Sequence, residues 1–170
     1  MNQRENVYQD QNVRIGTVVG GSLSQGTDIK LEQTTSVEDI KSGHFITIRG
    51  STRRFFGVVT DISLEHSDSG ITHQVTGDTE EHIISALKGV MTYGKVSVST
   101  NLVLPLIEGS GEGVEPAKSI HDHFSSVHMA SERDIQTVFG EEDEDHFWVG
   151  SPLDMETKVC LDLDEFVKRS

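Results

Sequence analysis

The sequence predicts a mainly β fold: a small six-stranded β-barrel followed by a partly helical, acidic connector. Three observations point there. Apolar residues alternate with polar ones over several short runs, the period-two signature of half-buried strands. Glycines outnumber prolines 16 to 3, which suits tight turns and barrel corners better than a helical bundle. Charge is uneven: residues 1–106 hold nine Lys and Arg against twelve Asp and Glu, and residues 107–170 hold five against sixteen. So acidic a C-terminal third repels phosphate, which argues against a broad nucleic-acid footprint on this chain.

Residues 1–12 have no periodicity and read as a flexible arm. The barrel is expected over residues 13–106. Its first strand is VRIGTVVGGSL, with Ile15, Thr17 and Val19 on one face and glycines where another backbone comes close. A turn at Gln25–Thr27 leads to a short strand over Asp28–Glu32 carrying Ile29 and Leu31, then to a connecting segment from Ser36 with Val37 and Ile40. The clearest pattern follows. GHFITIRGSTRRFFGVVTDISL, residues 43–64, reads as one hairpin: Ile46 and Ile48 share a face of the first arm, and Gly50, Ser51 and Thr52 form the turn. In the second arm Phe56, Val58, Thr60, Ile62 and Leu64 face one way, opposite Phe55, Gly57 and Val59.

From Glu65 to Thr79 the composition is that of a surface loop. Glu80–Met91 switches to helical spacing through Ile83, Ile84, Leu87 and Val90. Val96, Val98, Thr100, Leu102, Leu104 and Leu106 then alternate as the expected last barrel strand. Residues 107–170 form the connector: a linker at Glu108–Lys118, a short helix announced by Ser131 and Asp134 at capping-box spacing and stopped by Gly140, and a strand with Val159, Leu161 and Leu163 inward. The chain ends just after that strand, which raises the expectation of a longer parent protein.

In order and wording the sequence resembles the N-terminal region of HerA-type DNA-translocating ATPases of the FtsK-HerA superfamily, whose first domain is the HAS barrel. RIGTVVGGS at residues 14–22 carries the resemblance, as do the Gly-x-Phe-x-x-Ile and Phe-Gly-x-Val-Thr strands of residues 42–61. HFSSVHMASERDIQTVFG at residues 123–140 carries it most specifically, and KVCLDLDEFVKR closes it. The resemblance implies an assembly and partner-docking module of a hexameric, ATP-dependent double-stranded DNA translocase or helicase acting in DNA end processing. It implies a nuclease partner of NurA type, with DNA contacts and ATP and Mg held mainly by a RecA-like motor domain downstream. The alternative is a free-standing β-barrel adaptor with no motor.

No catalytic activity is expected of this chain, and no cofactor or metal. A phosphate-binding loop needs Lys directly after the second glycine, whereas Lys118-Ser119 follows Ala117. Gly109, Gly111 and Gly113 read as linker. His121, His123 and His128, near Asp122 and Glu132, are the nearest approach to a metal set, but no second matched pair accompanies them. The run Glu141–Asp145 lacks calcium-loop spacing and reads as a solvated acidic face. Cys160, the single cysteine, excludes an internal disulfide and suits a reducing, cytoplasmic setting. Arg49, Arg53 and Arg54 are the one compact basic group in the barrel and the expected partner-binding residues. Open barrel edges, with the strand at Val159–Leu163, are expected to drive homo-oligomerisation.

Overall fold

The computed structural model describes residues 13–66, 92–105, 113–153 and 155–168. Within them the strands are β1 (Arg14–Ser22), β2 (Gly26–Leu31), β3 (Phe45–Arg49), β4 (Arg54–His66), β5 (Thr92–Leu104), β6 (Glu115–Pro116), β7 (Ser126–Met129), β8 (His146–Gly150) and β9 (Val159–Asp162). Two short helices accompany them, α1 (Glu132–Phe139) and α2 (Leu163–Lys168). The expected arm at residues 1–12, the helix at Glu80–Met91 and most of the loop before it lie outside the described residues.

Six antiparallel strands run in the order β2-β1-β7-β3-β4-β5, and β5 returns to pair with β2, closing a barrel. Closure removes the open edges that the sequence reading assigned to self-assembly. The sixth strand is not the expected one. β7 comes from the connector and inserts between β1 and β3, pairing Thr17 with Ser126 and Ile48 with Val127. Part of the expected linker is also ordered, because Glu115 and Pro116 extend the β5 ladder opposite Val103 and Leu102.

The β3–β4 hairpin forms as read, with Ile46 opposite Gly57 and Ile48 opposite Phe55, and Gly50 N–H closing the loop onto the Arg53 carbonyl at 2.9 Å. Its faces differ from simple alternation because β4 and β5 slip twice. Thr60 is an extra residue between the Val59–Val98 and Asp61–Ser97 pairs, and Asn101 is one between Phe56–Leu102 and Gly57–Thr100. Each bulge reverses the inward set. Phe55, Val59 and Ile62 therefore face the barrel interior, and Leu64, read on the same face as Ile62, is 69% exposed. An irregularity in the β1–β7 pairing between Arg14 and Gly16 lets Ile15 and Val18 both face inward, so Val18 rather than Val19 joins Ile15 in the core. The interior is filled by Ile15, Val18, Ile29, Ile46, Ile48, Phe55, Val59, Val96, Val98 and Val127, β-branched residues that pack well on pleated surfaces.

A second apolar cluster lies outside the barrel. Phe56 and Leu104 point outward and are covered by Ala130 and Ile135, with Phe45, Val138, Phe139 and Val159 at the margin. The helix is held there by its start: Ser131 Oγ accepts from the Asp134 backbone N–H while Asp134 accepts from the Ser131 N–H, the reciprocal box expected from the sequence. Gly140, at φ 74°, ends it with an N–H to the Gln136 carbonyl at 2.8 Å. Beyond it β8 and β9 form a separate two-stranded sheet. In β9 the buried side chain is Cys160, whereas Leu161 and Leu163, expected inward, are 37% and 48% exposed. The Cys160 side of the strand is the covered one; on the opposite side Val159, also expected inward, packs at the margin of the second cluster while Leu161 is open.

Candidate functional site

The three arginines sit at one end of the β3–β4 hairpin but do different things. Arg49 and Arg54 are register partners, so both start from the outer face of the sheet. The Arg54 guanidinium pairs with Asp134, and the two side chains are 13% and 3% exposed. Asp134 also accepts from Ser131 N and Oγ, each at 2.8 Å. Arg54 is thus a buried strut between the barrel and α1; removing either partner would strand a charge in a poorly solvated place. Arg49 and Arg53 remain at the surface.

The three histidines are not brought together as one ligand set. His121 is buried at the barrel end, where Nε2 lies 2.7 Å from Thr27 Oγ1 and the ring stands edge-on to Phe55 at 5.5 Å. Burial pushes its pKa down, so the neutral imidazole is the form this packing holds. His123 lies against Phe124 at the surface, and His128 is half-buried on β7, its pKa lowered by desolvation and by the nearby Arg49 and Arg14. Among the described residues no three His, Cys, Asp or Glu side chains are placed to hold a metal ion.

The acidic run folds on itself. Asp143 Oδ1 accepts from the N–H groups of Asp145 and His146 at 2.8 Å and from His146 Nδ1 at 2.9 Å, which raises the histidine pKa and lowers that of Asp143. Cys160 is 1% exposed, a packed thiol. The segment Gly113–Ser119 contains β6 and leads into no helix, so it lacks the loop-then-helix form that cradles a nucleotide phosphate.

The surface that stands out was not marked by the sequence reading as a site. On and around the β8–β9 sheet, Trp148 is 54% exposed, Val149 50%, Leu161 37%, Phe166 59% and Val167 63%. Phe147 and Phe166 meet edge-to-face at 6.1 Å, joining α2 to the Leu161 face of the sheet, whereas Trp148, the register partner of Cys160, stands on the other face. A cluster of that kind is characteristic of protein contact surfaces, whereas scattered single exposures are ordinary. Its sequence signal is HFWVG, three consecutive large apolar residues in a short strand, which cannot all be covered by one neighbour.

No protein-family model matches the chain, and no curated protein matches it. Among the described residues no helix is long and apolar enough to cross a membrane.

Proposed function

We propose that this chain is an assembly and partner-docking module, the N-terminal part of a hexameric, ATP-dependent double-stranded DNA translocase that works with a nuclease at DNA ends. The observation that carries the reading is the contrast between a closed barrel and the open apolar hairpin that follows it. The barrel needs no partner. The hairpin does, and β9 is the strand that, in the family the sequence resembles, leads into the phosphate-binding loop of the motor. ATP and Mg would belong to that motor, since the 170 residues contain no Gly-x-x-x-x-Gly-Lys-Ser/Thr run.

On this reading the chain alone hydrolyses no ATP. The test is the intact mass of the native protein in its source cells against the 18.7 kDa of this chain. A much larger mass, with a glycine-rich Lys-Ser/Thr loop soon after Ser170, is the expected result. A matching mass would overturn it in favour of a free-standing barrel adaptor.

A further inference from the structure

We propose that residues 117–125 are a strap across one end of the barrel, latched while the His121 imidazole is neutral and released when it takes a proton. The device is independent of the docking reading above.

The strap joins β6 to β7 and belongs to no ladder. Its backbone is tied to the barrel at its two ends. Ala117 N–H donates to the Asn101 carbonyl at 2.8 Å and Phe124 N–H to the Val18 carbonyl at 3.0 Å, while Val18 N–H donates to the Ser125 carbonyl at 3.0 Å. Between those ends two side chains hold it. His121 Nε2 pairs with Thr27 Oγ1 of β2, its ring edge-on to Phe55 of the barrel core, and Ser51 Oγ of the β3–β4 turn donates to Asp122 Oδ2 at 2.9 Å. Of the two contacts, the His121 one is buried and the Asp122 one is at the surface. Phe124 adds tension: its φ of 63° is left-handed backbone that a bulky residue rarely adopts, and its side chain is 75% exposed, so little packing offsets it.

The latch holds in one charge state. His121 is 8% exposed; Thr27 Oγ1 serves one ring nitrogen, and Nδ1 has no hydrogen-bond partner among the described residues. A neutral ring fits, with Nδ1 as the bare lone pair. An imidazolium carries a proton on both nitrogens, so it would keep a charge and one N–H away from water without an acceptor. The charged and titratable groups around the ring are Asp122 and His123 of the strap and Arg53, which shares with it a cavity of about 280 Å³ under the β3–β4 turn. β2 and β4 face it with Thr27 and Phe55, neither of which titrates. Burial lowers the folded pKa; the Asp122 backbone and carboxylate oppose that shift without cancelling it, and His123 reinforces it. When the strap lifts, the ring reaches water and takes the proton at its ordinary value, so acid favours the lifted form. Lifting is local, because the strap's few backbone bonds break while the six-stranded ladder stays whole.

The test is residue-resolved hydrogen exchange on the full chain, read as protection factors at about pH 7.5 and about pH 5.5. The Val18 and Phe124 amides should be less protected than those of the β3–β4 ladder at both pH values and lose about tenfold between them, the ratio set by an ordinary histidine value of about 6.5. Their exchange should be unchanged by low urea, as an opening that exposes little surface requires. In His121→Gln, whose amide still reaches Thr27, the loss on acidification should shrink to about twofold or less, which separates His121 from His123 and from His128 of β7. Equal protection of strap and ladder amides, no loss on acidification, or an undiminished loss in the variant would each overturn the inference. Should the variant not fold, the native chain decides by NMR titration. The His121 ring signals and the Phe124 amide signal should move together, with a midpoint below about 6.5. His121 titrating at its ordinary value, or without Phe124 following, would overturn it.

Discussion

The barrel and the C-terminal hairpin are written in the same alternating code and end in opposite conditions. Ile29, Ile46, Ile48, Val96 and Val127 are fully buried, each wrapped by strands on both sides and by the facing wall of a closed cylinder. Trp148 and Val149 are about half exposed on a sheet of two strands, and Phe166 of α2 beside it is more than half exposed. Two strands cannot shield two faces. Alternation therefore identifies a strand but does not say whether the molecule itself supplies the cover, and the uncovered strand is where a partner belongs.

The largest effect that sharpens this contrast is expected from the barrel interior. Ile48→Ala should cost about 4 kcal/mol in urea unfolding, within the range for deleting a fully buried aliphatic side chain. A cost under about 1 kcal/mol would mean that the barrel core is loosely packed. Next comes Arg54→Ala, expected to cost about 3 kcal/mol because Asp134 is left buried without its cation, eased by the bonds it keeps to Ser131. The fluorescence of Trp148, beyond α1, should report a loosened hairpin in this variant.

Gly57→Ala should cost about 1–3 kcal/mol. A Cβ there would lie 2.5 Å from the Ser99 carbonyl oxygen, beside the Asn101 bulge, so backbone has to move. Smaller still is a pH effect centred on His121. Burial lowers its folded pKa, so the unfolded chain binds the proton more tightly. Its contribution to stability is present above the ordinary histidine value of about 6.5 and is lost as pH falls below that through the folded value. His128 shifts in the same direction, so His121→Gln should reduce the acid sensitivity below about pH 6.5 without abolishing it. Equal pH profiles for the variant and the original would remove His121 from this role. The smallest change is expected in the hairpin: Leu161→Ser should alter unfolding of the chain by no more than about 0.5 kcal/mol. A cost near that of Ile48→Ala would show Leu161 already covered.

How much of this the sequence made legible depends on how local each feature is. The β3–β4 hairpin and the Ser131–Asp134 cap are set by residues within a few positions of one another, and both are as read. β7 is not, because SVHM is four residues with no sustained pattern, and its place between β1 and β3 is fixed by strands that lie far away in sequence. The bulges at Thr60 and Asn101 are equally silent in sequence; they break the strict alternation by which residues were grouped on one face of β4 and of β5. Of the candidate site, the grouping of Arg49, Arg53 and Arg54 could be read, but the partner of Arg54 lies 80 positions on, so its structural use could not. The apolar hairpin surface was visible only as the string HFWVG, whose exposure is a property of what is missing around it.

The central claim is that the hairpin surface is covered in the working protein while the barrel wall is not. Site-specific photo-crosslinking in the native protein tests it most directly, with a photoreactive residue placed at Leu161 and, separately, at the exposed barrel position Thr60. Leu161 should give one dominant adduct, to a downstream part of the same protein or to a single partner, and Thr60 little or none. Strong adducts from Thr60 with none from Leu161 would contradict the account and move the docking surface to the barrel.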